Sequence, residues 1–263
     1  THVNLTHRNW TAVGLPDTRA LPIVDPRGLL TPHFDGWSLD AWLLADGGTE
    51  ILPSRAREAA QALDWRAGRL EVRTRLARDD LHLSMSAWVE RERGQPVCRL
   101  GCTGRSAGPA WLVVALRPYN PEGLSPVKRI AWDGDRSWQV DGISCAQFSE
   151  RPDRHAAAVY AEGDVYHRLR ARAPCASAAC DVGMATAAAL FRVDEGTQRA
   201  IDVRIPLSDE ETGPAPSAAR PAAAWDQAIQ GAPRLAIPDD RMRFLFDAAL
   251  RTPMISPSFM EWR

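Results

Sequence analysis

Leu112 to Ile130 reads LVVALRPYNPEGLSPVKRI, and its two halves obey different rules. Leu112 to Leu116 is an unbroken apolar run with β-branched residues, the length and content of a buried strand. The second half cannot stay in a sheet. Pro118 and Pro121 bring no N–H, and Asn120, before Pro121, is restricted to extended or turn backbone. The stretch therefore predicts a core strand feeding a stiff loop that carries Arg117, Tyr119, Asn120, Glu122 and Lys128.

The flanking sequence alternates with period two. Leu70, Val72, Thr74 and Leu76 interleave with charged residues, and Leu81, Leu83, Met85, Ala87 and Val89 interleave with polar ones. This predicts antiparallel strands with one solvated face, joined at Asp79-Asp80. Val97 to Thr103 reads as the next strand, after a turn at Arg91–Gln95. Trp37, Leu39 and Ala41 alternate with Ser38, Asp40 and Trp42, as in a half-buried strand. Asn4 to Trp10 is a candidate edge strand, and Asp25-Pro26-Arg27-Gly28 and Asp35-Gly36 are turns. Past the central stretch, Ile130–Trp132 and Trp138–Val140 form a hairpin around Asp133-Gly134-Asp135. Ala156–Tyr160 and Val165–Leu169 are read as strands joined at Glu162-Gly163-Asp164. Val182 to Val193 is taken as strand from its neighbours, although its alanines also suit a helix. Arg199 to Leu207 is the last long strand.

Composition then shifts. Ser208 to Pro221 is a Pro/Ala/Glu-rich linker, and Ala222 to Gln230 a short helix ending at Gly231. Asp239 and Asp240 can cap a second helix, on which Met242, Leu245, Phe246, Ala249 and Leu250 share a face; Pro253 should end it. The expected organisation is an antiparallel β domain over residues 1–207, a linker with a short helix over 208–238, and a C-terminal helix and tail over 239–263.

A chain of 263 residues has room for one large β domain or two small ones. A formal net charge of -1 predicts no nucleic-acid partner. Lys128 is the only lysine, so arginine clusters reflect a general Arg-for-Lys bias rather than phosphate sites. Cys98, Cys102, Cys145, Cys175 and Cys180 have no zinc-like spacing; Cys175 and Cys180 have the spacing to pair, but buried free thiols and a reducing, cytoplasmic compartment are the expectation. No apolar run approaches a membrane span, no signal-like segment opens the chain, and no membrane partner is predicted.

Chemistry-bearing motifs are scarce. There is no Walker loop, GxGxxG, GxSxG or HExxH, and the six histidines are scattered, so no metal and no cofactor is expected. Asp35, Asp40, Glu122, Asp133 and Asp135 are the carboxylates considered for a glycan site, but glycoside hydrolysis needs two of them across a cleft. Trp37 and Trp42, with Arg117, Tyr119, Asn120 and Glu122 of the central loop, are the candidate ligand-binding residues. The plainer reading of the tryptophans, Trp10 included, is as core anchors.

Three blocks, HRNWTAVG (7–14), VDPRGLLTPHFDGWSLDAW (24–42) and LRPYNPEGLSPVKRI (116–130), resemble the N-terminal region of bacterial glucoamylase-like or glycogen-debranching-like glycosidases of the six-hairpin type. The resemblance runs from about residue 5 to residue 250. It implies a mainly β fold, a large two-sheet antiparallel β-sandwich (a supersandwich) followed by a linker and one or two C-terminal helices. In those enzymes, which act on α-glucans, an (α/α)6 barrel with the catalytic carboxylates comes next. The matching residues here include no counterpart of those acids, so the resemblance implies a truncated relative or fragment, inactive alone, that packs on a helical barrel. The implied partners are that barrel or a second copy, docked through Met242, Leu245, Phe246 and Ala249, with an α-glucan as candidate ligand. A free-standing carbohydrate-binding sandwich and an interaction domain are the alternatives. On the main reading the Arg117–Glu122 loop is a rigid corner facing the barrel.

Overall fold

The computed structural model describes residues 9–16, 18, 20–57, 59–65, 69–169, 177–207, 225 and 227–255, with side chains up to Arg251. The strands, in chain order, are β1 (Thr11–Ala12), β2 (Ile23–Val24), β3 (Leu30–Thr31), β4 (Ser38–Ala45), β5 (Glu50–Ile51), β6 (Ala60–Asp64), β7 (Glu71–Arg78), β8 (Leu81–Glu92), β9 (Gln95–Arg105) and β10 (Ala110–Arg117). They continue as β11 (Tyr119–Asn120), β12 (Gly123–Leu124), β13 (Arg129–Trp132), β14 (Ser137–Val140), β15 (Ser144–Phe148), β16 (Arg154–Ala158), β17 (Ser177–Ala179), β18 (Thr186–Val193) and β19 (Gln198–Pro206). Helix α1 spans Asp240–Ile255.

Two large antiparallel sheets face each other. The first runs β1-β2-β3-β4-β10-β18-β16, with β5 added to β4; the second runs β17-β13-β14-β15-β19-β9-β8-β7-β6. Their inner faces share one core. Leu39, Ala41 and Leu43 of β4, Leu112, Val114 and Leu116 of β10, and Phe191 of β18 meet Leu83, Met85, Leu100, Cys102 and Val203 of the second sheet. The sheets come close where Gly104 sits: a Cβ there would lie 2.8 Å from Leu43 Cδ1. At the other end Trp138 meets Phe148 edge-on at 4.8 Å, and Phe148 meets Phe191 at 5.6 Å. Trp138 Nε1 donates to His155 Nε2 at 2.7 Å, tying β14 of one sheet to β16 of the other. The fold class read from the sequence is the one observed.

The first sheet departs from a simple sandwich because its outer face is buried too. On that face Trp42, Val113, Ala115, Ala156, Ala158, Ala188 and Leu190 pack under Leu52, Val165 and Leu169. The cover is the segment 159–169, which holds two short 3-10 turns, Tyr160–Glu162 and Val165–Arg168. The register explains the alanines. Ala115 lies opposite Ala188, and Ala188 opposite Ala156, so one row of small side chains crosses β10, β18 and β16. A row that shallow lets the cover settle close to the sheet, and burial on both faces gives a continuous apolar run instead of alternation.

Most strands and turns match the sequence reading, including β10, β18, and the two-residue connection at Asp79, whose φ is 52°. Gly28 has a φ of 94° and its N–H donates to Asp25 O, the turn expected there. Three readings are corrected. β4 is not half-buried: Ser38 to Leu43 are all buried, because the cover takes its outer face while the core shared with the second sheet takes its inner one. The expected Val165–Leu169 strand is a 3-10 turn, because Asp164 caps it by accepting from Tyr166 N–H, and Val165 plugs onto the sheet instead of extending it. Helix α1 runs on to Ile255 past Pro253, since one lost N–H and a ring clash can be absorbed near a helix end.

Residues 4–8 of the proposed first strand, Cys175, and the linker Ser208–Pro221 lie outside the described residues. Cys98, Cys102, Cys145 and Cys180 are free thiols; burial pushes Cys98 and Cys102 well above the usual thiol range. No described helix is long and apolar enough to cross a membrane.

The small-residue row makes a prediction. Ala188→Leu should lift the cover and destabilise the chain by about 1–3 kcal/mol, the usual result of overpacking. Limited proteolysis should then cut first within residues 159–169. An unchanged denaturation midpoint and an unchanged cleavage pattern would count against the close fit.

Candidate functional site

β10 ends at Arg117 because Pro118 cannot continue the ladder. Arg117 lies opposite Ser38 on the outer face of the sheet, under the cover. Its guanidinium is buried and donates from all three of its nitrogens. Nη1 donates to Asp164 Oδ1 at 2.8 Å, Nη2 to Asp164 Oδ2, and Nε to Tyr119 Oη at 3.2 Å. The charged carbon sits 5.4 Å from the Trp42 ring centre and 5.3 Å from that of Tyr119, within cation–π range. The pair is bidentate, the geometry in which arginine holds a carboxylate best.

Asp40, on β4, completes the cluster and is 2 % exposed. Its Oδ2 accepts from Trp42 Nε1 at 2.6 Å, whereas its Oδ1 has no hydrogen-bond partner among the described residues. Burial pushes the Asp40 carboxyl up to about 7, against the pull of the Trp42 N–H and the Arg117 charge. Asp164 goes the other way. Burial would raise it, but the hydrogen bonds and charge of Arg117 outweigh that and hold it below the usual carboxylate range. Tyr119 is raised, chiefly by burial. A cavity of about 50 Å³ opens here, with Asp40, Trp42 and Arg117 on the sheet side and Ser54, Arg55 and His167 towards solvent.

The structure therefore brings together three of the six candidate residues, Trp42, Arg117 and Tyr119, and separates the rest. Trp37 is buried elsewhere, and its Nε1 donates to Ser144 Oγ at 2.9 Å. Asn120 serves a turn. Its Nδ2 donates to Gly36 O at 3.1 Å, and its Oδ1 accepts from Glu122 and Gly123 N–H at 2.8 and 3.1 Å. Glu122 is exposed. Neither Trp37 nor Trp42 offers a bare ring face, since both are at most 5 % exposed.

Two members of the cluster escaped the sequence reading. Asp164 had been placed in a turn, and nothing local marks it as the partner of a residue 47 positions away. Asp40 stands in the sequence as one carboxylate among several. Its signal is that a charged residue sits on a strand that is apolar on both sides.

At the C-terminal end, Asp239 caps α1 by accepting from Met242 N–H at 2.9 Å. The side of α1 that meets the sandwich carries Phe244, stacked 4.2 Å from Trp65, and Arg251, 4.9 Å over the same ring. Of the residues named for an interface, Met242 and Leu245 are each 51 % exposed, Ala249 is exposed and Phe246 half-buried. Among the described residues no group of three or more His, Cys, Asp or Glu could hold a metal ion.

No protein-family model matches the chain, and no curated protein matches it. Solved structures do. The chain is similar to a bacterial glucoamylase complexed with acarbose, with a TM-score of 0.54 and 8% identity, over 92% of this chain and 36% of that one. It also aligns with an inferred kojibiose phosphorylase from the human microbiome, with a TM-score of 0.37 and 6% identity, over 95% of this chain and 31% of that one. The chain thus spans about a third of the length of each. The glucoamylase likeness shows a glycoside-hydrolase-like β-sandwich fold, in line with the resemblance read from the three sequence blocks.

Asp40 sets a pH dependence whose sign can be worked out. Its carboxyl is raised in the folded chain from 3.8 to about 7. The stability this contributes is fully present below the unfolded value and is lost as pH rises through the folded one. Asp40→Asn should remove that loss, so that wild type and variant diverge between about pH 4 and 7, by about 2–4 kcal/mol at the upper end. Chemical denaturation across that range is the measurement, and parallel pH profiles would refute it. Asp164→Ala should cost about 3–5 kcal/mol, since it strands a buried guanidinium.

Proposed function

We propose that this chain is a non-catalytic β-sandwich module of a glycogen-debranching or glucoamylase-like glycosidase, acting as support for a helical catalytic barrel. One observation carries the reading: the carboxylates that the fold buries together are not available for hydrolysis. Asp40 and Asp164 flank a cavity of about 50 Å³, far below the 300 Å³ or more of ordinary ligand pockets, and Arg117 stands against both. A glycosidase needs two free carboxyl groups across a cleft that admits a sugar ring. The fold likeness to a bacterial glucoamylase supports the parent class. On this reading residues 1–207 form the sandwich, 208–238 the linker, and α1 the element that leads towards the barrel, with α-glucan as the parent enzyme's substrate.

Helix α1 fits that place. It touches the sandwich through Phe244 and Arg251 and leaves Met242 and Leu245 half exposed, an apolar strip suited to a second helical layer. A free-standing carbohydrate-binding role has less support, because Trp37 and Trp42 are buried.

Incubation of the chain with maltooligosaccharides, starch and glycogen should release no reducing sugar. Turnover that co-purifies with the chain and scales with its concentration would overturn the proposal. The two sides of α1 should also separate. Met242→Glu with Leu245→Glu should leave the stability of the isolated chain within about 0.5 kcal/mol, as exposed sites do. Phe244→Ala should cost about 1 kcal/mol through loss of the Trp65 stack. Equal losses on both sides would mean that the exposed strip already has a partner within the chain.

A further inference from the structure

Among the described residues several buried side-chain atoms lack a hydrogen-bond partner, and Asp40 Oδ1 is the carboxylate oxygen of that set. It belongs to a carboxyl that is 2 % exposed, lines a cavity, and has no hydrogen-bond partner among the described residues. Buried polar atoms are nearly always paired, so this one calls for a ligand. Its neighbours turn their hydrogen bonds elsewhere. Asp164 takes one N–H from each terminal nitrogen of Arg117, Arg117 Nε donates to Tyr119 Oη, and no N–H of Arg117 bonds Asp40 Oδ1. Trp42 Nε1 is on Asp40 Oδ2.

The charges facing Asp40 can be taken element by element. β10 brings Arg117, and the cover brings Asp164 and His167. The 53–55 turn brings Arg55, which pairs with Glu50 at 3.5 Å and lies 5.2 Å over the Tyr166 ring. Asp25 adds a further negative charge at longer range. With Asp40 ionised, the inner set of Asp40, Asp164 and Arg117 holds two negative charges and one positive. The net buried charge is negative and centred on Asp40, and a buried charge without a counter-charge costs several kcal/mol.

We propose that this cavity is a site for one primary ammonium group, donating to Asp40 Oδ1 and entering between Arg55 and His167. A neutral hydroxyl would satisfy the oxygen but leave the charge. A cavity of about 50 Å³ takes one or two water-sized groups, which admits an ammonium with one methyl and excludes a guanidinium or a quaternary ammonium. The aromatic walls of Trp42, Tyr119 and Tyr166 favour a cation. The ammonium can come from a free small amine or from a lysine side chain of a docked polypeptide. The site stands apart from the module reading above and survives its failure.

The test is thermal denaturation of the chain at pH 8 with methylammonium chloride, against equal concentrations of tetramethylammonium chloride and methanol. Methylammonium should raise the melting temperature in a saturable way, as a ligand specific for the folded state does, and should do so more at pH 8 than at pH 5. The two controls should not, and Asp40→Asn should abolish the effect. An equal rise with tetramethylammonium, an equal rise with methanol, or a rise that persists in Asp40→Asn would each overturn the proposal. Nα-acetyl-lysine amide distinguishes the sources: a matching effect indicates a lysine side chain, and an effect of methylammonium alone a free amine. In case Asp40→Asn does not fold, carboxyl-carbon NMR of the wild type gives a second reading. Methylammonium should lower the pH at which Asp40 titrates, and an unmoved titration would overturn the site.

Discussion

The Arg117–Asp164 pair closes a short helical cover over a sheet that would otherwise expose its outer face. β10 and β18 carry apolar residues on both sides, so the first sheet is stable only with something on each face. The second sheet supplies the inner cover. The outer one is the 159–169 segment, which places Val165 and Leu169 against the sheet beside Leu52. Two apolar side chains on a segment with no strand pairing hold weakly. A bidentate buried ion pair adds direction: it sets where the segment sits, and the alanine row at Ala115, Ala188 and Ala156 sets how close it comes.

Such a pair is not a large net source of stability. Its Coulomb energy largely offsets the cost of taking two charges out of water, and a well-packed apolar pair often does as well. What it does is penalise alternatives. A cover displaced by one residue would strand a guanidinium under a sheet, at a cost of about 3–5 kcal/mol. Asp40 makes this sharper. Its carboxyl competes for the same guanidinium and loses, because Asp164 offers both oxygens in the plane of Arg117 while Asp40 has turned one to the Trp42 indole. The two carboxyls are therefore driven in opposite directions by one cation, Asp164 down and Asp40 up.

The sheet architecture was legible in the sequence where periodicity is local. Alternation over Leu70–Leu76 and Leu81–Val89 located β7 and β8, and the proline-terminated run at Leu112–Leu116 located β10. The outer cover was not legible. Val165 to Leu169 has the composition of a short strand, and only Asp164 bonded to Tyr166 N–H and to Arg117 makes it a turn. The site failed for the same reason. Arg117, Tyr119, Asn120 and Glu122 are neighbours in sequence and were read as one loop, yet strand geometry sends Arg117 under the cover and the turn at Asn120 leaves Glu122 in solvent. Period two separates neighbours, and the partner that unites Arg117 with a site lies 47 residues on.

This has a bearing on what a fold likeness at 8% identity can carry. Sandwiches of this kind recur with unrelated roles, and sites are grafted onto them. Here the polar residues with unusual electrostatics are buried, whereas function is usually carried on exposed loops. They lie where β10 ends and β4 begins, behind a cover. A group placed there serves a surface only if the cover or its mouth is that surface. The exposed side of Tyr166, Arg55 and His167 is therefore where this internal chemistry comes nearest to solvent. Helix α1 offers a different kind of surface, the exposed apolar pair Met242 and Leu245. A chain with one polar mouth and one apolar strip has two chemically distinct surfaces. The strip suits permanent packing, and the mouth, behind which the buried Asp40 carboxyl is pushed up to about 7, suits an association that responds to conditions.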